Sequence, residues 1–282
     1  MCALCNSNNA VWSSRRAFVL ATSAVTGLAL VAPAMAQVDV GNASSFRKLV
    51  SAEQIEAAAA QQYPQMLAEA RAQKALAPDS HPQLVRLRAI AQRIIPHTAQ
   101  WNDRARKWRW EVNLIGSKQI NAFCMPGGKI AFYTGILDQL KLTDDEAAMV
   151  MGHEMAHALR EHARERLGKT QATSIGLSLG AQLLGLGDLG NVAAKLGTQL
   201  LALKYSREDE SEADLVGLEL AARSGFAPQA GVTLWRKMAA AGGGASGTKF
   251  LSTHPSGPQR IHELEVNAPK VQGLYEQALR GR

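Results

Sequence analysis

In this chain of 282 residues, residue type and spacing first imply chemistry at His153-Glu154-Met155-Ala156-His157. Histidines at i and i+4 sit one above the other on a helix, with Cβ atoms about 6 Å apart. At that spacing both imidazoles reach one ion at about 2.0–2.1 Å. Glu154, beside the first histidine, stands where a carboxylate accepts a proton from an attacking water. So short a pattern draws its weight from its setting, and Met149, Val150, Met151 and Ala156 surround it with apolar side chains.

A catalytic zinc needs a third protein ligand and an open fourth position. A third histidine ten residues after the first would fall at Ala163. His162 is one residue short and on a continuous helix faces elsewhere, so it is assigned to the surface. The remaining solution is a carboxylate from another helix. Ser206-Arg-Glu-Asp-Glu-Ser-Glu-Ala-Asp214 supplies one, with Glu210 as ligand. Asp214 lies on the same face and is placed to orient a ligating histidine. The expectation is one zinc per chain, held by His153, His157 and Glu210 with Asp214 behind them.

The elements that must carry these residues are mostly helices around a small sheet. Ser51-Ala-Glu-Gln54 opens a helix to about residue 76, and a second runs from Pro82 to Ile95. Large and polar residues alternate over 108–115, the period of a strand. Residues 121–125, the Pro126-Gly127-Gly128 turn and 129–134 read as a hairpin or bent pair of strands. Thr143-Asp-Asp-Glu146 caps the histidine helix, read through about residue 167. Helices are expected over 200–224 and 228–240, then a flexible glycine-rich loop at 241–250 and a last helix from about Pro258. Residues 170–187 are uncharged but hold four glycines, a density that breaks helices in water. They are read as helical pieces near a cleft rather than as a membrane span.

The whole pattern resembles the zinc endopeptidases that include the CAAX prenyl protease, the HtpX heat-shock protease and the mitochondrial inner-membrane quality-control protease. It extends over residues 80–265. Besides the two metal motifs it includes Asn121-Ala-Phe with Pro126-Gly127-Gly128, Tyr205-Ser206-Arg207, and Thr253-His254-Pro255 with Arg260 six residues after the histidine. The resemblance implies an α+β, mainly helical fold of the zincin type, its small sheet beside the histidine helix. It implies that Asn121 contacts substrate backbone and that His254 and Arg260 lie near zinc, suited to stabilising the oxyanion. His254 is alternatively a resting fourth ligand. The transmembrane helices of the best-known members and the tetratricopeptide tail of some exported relatives are not evident.

Composition sets the remaining bounds. Hydrophobic residues are 46%, charged residues 20%, and the net charge is +7, which excludes a disordered chain. Arg15-Arg16, the apolar run 17–31 and Ala34-Met35-Ala36 read as an export signal cut before Gln37, resembling the twin-arginine type, with the ordinary secretory route left open. That predicts a single periplasmic domain over 37–282. Cys2 and Cys5 would leave with the signal, so Cys124 is read as a lone buried hydrophobe and no internal disulfide forms. The basic clusters mix with aromatics and acids, so no nucleic-acid partner is expected. The function expected is a zinc endopeptidase acting on unfolded or misfolded envelope proteins. The rival from another class is a zinc-bound chaperone or assembly factor with latent proteolysis. Oligomeric state, substrate and peripheral membrane association are left open.

Overall fold

A computed structural model describes residues 38–176, 200, 203–242, 249–254 and 257–281. The export signal at 1–36, residues 177–187 of the uncharged region, and positions 243–248 of the glycine-rich loop lie outside the described residues. In chain order the regular elements are α1 (Ala52–Ala72), α2 (Pro82–Ile94), β1 (Glu111–Ile115), β2 (Ala122–Met125), β3 (Lys129–Tyr133) and α3 (Thr134–Gln139). There follow α4 (Asp144–Leu159), α5 (His162–Gly176), α6 (Arg207–Arg223), α7 (Ala230–Gly242), α8 (Lys249–Thr253), α9 (Pro258–Asn267) and α10 (Gln272–Arg280). The fold is α+β and mainly helical.

The central element is α4. Thr143 Oγ1 accepts from the Glu146 amide at 3.2 Å and the Glu146 carboxylate accepts from the Thr143 amide at 2.9 Å, closing the capping box. Asp144, Asp145 and Glu146 complement the positive end of the helix. Every residue from Glu146 to Leu159 is buried, as a helix apolar on nearly all sides must be. It packs against α6, β2, α2 and α7.

Two glycines decide how closely α4 and α6 approach. A Cβ on Gly217 would lie 2.6 Å from the His153 amide nitrogen, and one on Gly152 would lie 2.8 Å from the Gly217 carbonyl oxygen. The helices therefore meet backbone to backbone beside His153. That closeness carries the carboxylates of α6 into reach of the histidines of α4.

The sheet has the order β1-β3-β2, with β2 and β3 antiparallel and β1 parallel to β3. The hairpin matches the expected one, and Gly127 and Gly128 turn it at φ 82° and 78°, values open to glycine at little cost. β1 is shorter than the expected 108–115. The segment before it forms a 3₁₀ turn (Asp103–Lys107), and Trp108 instead donates Nε1–H to Glu56 at 2.9 Å. β2 lies at the sheet margin beside α4. The Tyr133 amide donates to the Asn121 carbonyl at 3.1 Å, so by alternation the main-chain groups of Ala122 and Cys124 face away from β3.

Two helix boundaries differ from the sequence reading, and both matter to the site. The histidine helix ends at Leu159, not near 167, because Glu161 takes a left-handed conformation (φ 61°) before α5 begins. Glu161 is fixed there by Arg47 at 2.8 Å and by contact with Arg164. The acidic helix begins at Arg207, not at 200. Ser206 caps it, accepting from the Asp209 amide at 3.2 Å, and Asp209 accepts from the Ser206 amide at 2.8 Å. Helix α1 also stops early, at Ala72, with Lys74 left-handed (φ 55°). Among the described residues no helix is long and apolar enough to cross a membrane.

Two tests follow from the packing. Gly217→Ala gains about 1 kcal/mol of helix propensity but drives a Cβ into backbone, where overpacking costs about 1–3 kcal/mol or more. Urea denaturation is expected to show a net loss of stability. The second test concerns Glu146, which joins the Thr143 amide, Thr233 and Lys237. Burial raises its pKa, but Lys237 and the Thr143 and Thr233 hydrogen bonds outweigh that and hold it below 4.5. A depressed folded-state pKa contributes stability above the unfolded value, lost as pH falls through the folded one. Glu146→Gln is therefore expected to lower the melting temperature at pH 7 and to flatten its decline below about pH 4.5.

Candidate metal centre and active site

His153 and His157 on α4, Glu210 in the first turn of α6 and His254 just beyond α8 converge, all four buried. One ligand atom from each lies within 4.8 Å of every other. His153 Nε2 is 3.1 Å from His157 Nε2, 3.4 Å from His254 Nδ1 and 3.5 Å from Glu210 Oε2. Glu210 Oε1 is 3.4 Å from His157 Nε2 and 2.9 Å from His254 Nδ1. Ligand bonds of 2.0–2.1 Å in a tetrahedron require donor separations of about 3.3–3.4 Å. The four groups fit a tetrahedral metal site, and their three imidazoles and one carboxylate are donors that suit zinc.

Behind these atoms is a layer of orienting contacts. His153 Nδ1 donates to Asp214 Oδ1 at 2.9 Å. Asp214 also accepts from Trp235 Nε1 at 3.0 Å and from Arg260 Nε and Nη2 at 2.7 and 2.8 Å. Arg260 reaches Glu210 through Nη1 at 2.7 Å and lies over the Trp235 ring, 3.7 Å from its centroid. The resemblance assigns Arg260 to the oxyanion; in the structure its guanidinium faces these two carboxylates. Tyr205 stacks on His157 with centroids 4.0 Å apart, and Phe250 stacks on His254 at 4.4 Å.

Charge is balanced inside this layer. Burial disfavours the His153 cation, but Asp214 and Glu210 outweigh it and lift its pKa to about 9. Burial, aided by His153 and His254 against the pull of Glu210, pushes His157 down to about 3. Burial raises Asp214, but Arg260 and His153 outweigh it and hold the carboxylate below its ordinary pKa. Glu210 is likewise held low, since His254, His153 and His157 outweigh its burial. Glu154 is the exception: burial dominates and raises its pKa. Its Oε1 is buried with no hydrogen-bond partner, 3.6 Å from His254 Nε2. A carboxyl lifted in this way is suited to taking and returning a proton near neutral pH.

The site opens onto a cavity of about 110 Å³ lined by Asn121, Ala122, Tyr133, Glu154, His157 and Tyr205, among others. Asn121 thus reaches the same space as Glu154, from the residue just before β2. Cys124 is buried there and burial raises its thiol pKa, as expected of a small hydrophobe. His162 is a correction: it is buried, not on the surface, with Nδ1 2.9 Å from His157 Nδ1. The left-handed break at Glu161 folds it back under α4, which no continuous-helix argument anticipates. Sequence reasoning also missed Trp235, and no local motif marks it. Tyr205 was carried only as part of a resemblance.

This fold and donor set define a metallopeptidase-type centre of the zincin class. The comparisons with known proteins agree. The model of peptidase family M48 matches residues 85–268. The chain is 36% identical over 197 residues to mitochondrial metalloendopeptidase OMA1 of Schizosaccharomyces pombe, covering 69% of this chain and 56% of that protein. It is 31% identical over 156 residues to metalloprotease LoiP of Escherichia coli, covering 52% of this chain and 58% of that one. It is 25% identical over 205 residues to the E. coli beta-barrel assembly-enhancing protease, covering 68% and 40%. The chain belongs to peptidase family M48. It spans less than two thirds of the length of each of these relatives.

Orientation of His153 by Asp214 generates a direct test. Asp214→Asn keeps the volume but removes the charge, and loss of such an orienting carboxylate costs about 10–100-fold in metal affinity. Competition with a chromogenic chelator is expected to show zinc held more weakly by that factor.

Proposed function

We propose that this protein is a zinc-dependent endopeptidase that hydrolyses peptide bonds with water. The observation that carries the reading is Glu154, a buried, proton-competent carboxyl beside the His153–His157–Glu210 group and facing the cavity that Asn121 lines. Binding alone has no need of a general base in that place. Zinc bound by His153, His157 and Glu210 supplies Lewis-acid polarisation of the scissile carbonyl and of water.

The chain's own residues do the rest. Glu154 takes the proton of the attacking water and passes it to the leaving amine. Asp214, itself held by Arg260 and Trp235, fixes the His153 ring so that Nε2 faces the metal position. An extended peptide adds beside β2, where the main-chain groups of Ala122 and Cys124 face outward and Asn121 offers an amide. Pairing through the main chain tolerates many sequences. His254 occupies the corner that a catalytic site keeps open. We read that arrangement as a resting state that His254 leaves when substrate enters, freeing its imidazole to offset oxyanion charge.

The substrates proposed are misfolded or unassembled proteins of the bacterial envelope. Support comes from the leader-like residues 14–36 and from relatives that include a beta-barrel assembly-enhancing protease. Mitochondrial relatives are compatible with a shared proteolytic role in a different membrane-bounded compartment. His254 in the fourth corner favours one rival, a zinc-bound chaperone whose protease is latent. Replacing Glu154 with Gln in cells separates the two, since a chaperone keeps its function and a protease loses it.

The biochemical test uses purified protein, casein as an unfolded substrate, and zinc quantified in the same sample. One zinc per chain is expected, with cleavage reduced at least 100-fold in Glu154→Gln. Absence of zinc from carefully handled protein would sink the proposal.

A further inference from the structure

The two histidines of α4 are supported differently. Nε2 of each faces the cluster of metal-binding atoms, so Nδ1 of each must carry the proton and needs an acceptor. For His153 the acceptor is the Asp214 carboxylate. For His157 the atom at hydrogen-bond distance is Nδ1 of His162, 2.9 Å away. A continuous helix would place residue 162 about 140° around from residue 157. The left-handed Glu161 instead starts a new helix that turns the His162 ring back under α4. With its Nδ1 lone pair accepting from His157, His162 carries its own proton on Nε2. That nitrogen is buried and without a hydrogen bond, 3.6 Å from Glu212 Oε2. Glu212 is held in turn by contact with Arg160, whose Nη2 donates to the Gly41 carbonyl at 2.9 Å.

We propose that His162 is the positioning residue for His157, accepting its Nδ1 proton, and that Glu212 orients His162. The proposal rests on the reading of His157 as a metal ligand. Helix α6 then supports both histidines: Asp214 holds the first directly, and Glu212 holds the second through an intervening imidazole. A neutral acceptor behind the second histidine limits the negative charge gathered around Glu210. His162 touches neither substrate nor metal and acts only by fixing the tautomer and ring plane of His157.

The test measures zinc affinity of the full chain by chelator competition, alongside the melting temperature of the zinc-free form. His162→Phe removes the acceptor but keeps a ring, and is expected to weaken zinc binding about 10–100-fold with the zinc-free melting temperature close to that of the parent. His162→Gln, whose side-chain carbonyl can accept from His157, is expected to recover most of the loss. Parental affinity in His162→Phe, or a Gln variant as weak as the Phe one, overturns the proposal. If zinc-free His162→Phe does not fold, Glu212→Gln decides: weaker zinc binding in the same direction supports the relay and unchanged binding overturns it. His157→Ala separates the underlying reading. Parental zinc affinity there removes the metal centre itself, whereas lost affinity there with none lost in His162→Phe removes only the relay.

Discussion

Backbone contact between α4 and α6 at Gly152 and Gly217 sets the distance on which the centre depends. Asp214 and Glu210 of α6 must each lie within a few ångströms of an α4 imidazole, and the close approach of the two backbones brings them there. Removing both Cβ atoms at the crossing lets the helices approach until the Gly217 position sits against the His153 amide. The histidines then face their carboxylates at 2.9–3.5 Å. Glycine inside a helix costs about 1 kcal/mol in propensity, and here it is tolerated twice because packing on every side of α4 compensates.

Burial makes the same crossing electrostatically demanding. Isolated charges are expensive in a dry interior, and they persist only when paired and hydrogen-bonded. Asp214, Glu210, Arg260 and the metal-binding histidines pair with one another in a network, with Trp235 donating to Asp214 and offering its ring face to the Arg260 cation. Glu154 stands outside that network, which is why burial raises its pKa while the neighbouring carboxylates are held low. Two carboxyl groups on packed helices thus acquire opposite protonation tendencies from environment alone.

The periphery serves the same end. The 3₁₀ turn Ser45–Leu49 packs on α5, with Arg47 fixed to Glu161 at the point where α4 breaks. The edge strand β2 also packs against α4, so the buried histidine group and the outward-facing main chain of β2 share one support.

Much of this was legible in the sequence, because the signals were local. Histidines four apart, a carboxylate pair four apart, capping residues at Thr143 and a Pro-Gly-Gly turn each follow from the repeat of one element. They sufficed for an α+β fold and for the metal-binding group. Tertiary structure alone decided where α4 stops, that His162 returns beneath His157, that Arg260 faces Asp214 and Glu210, and that Trp235 joins them. These depend on one left-handed residue, on a crossing without Cβ atoms and on partners dozens of residues apart. Local periodicity carries no information about such contacts, since they are set by how buried charges find one another when separate helices close around them.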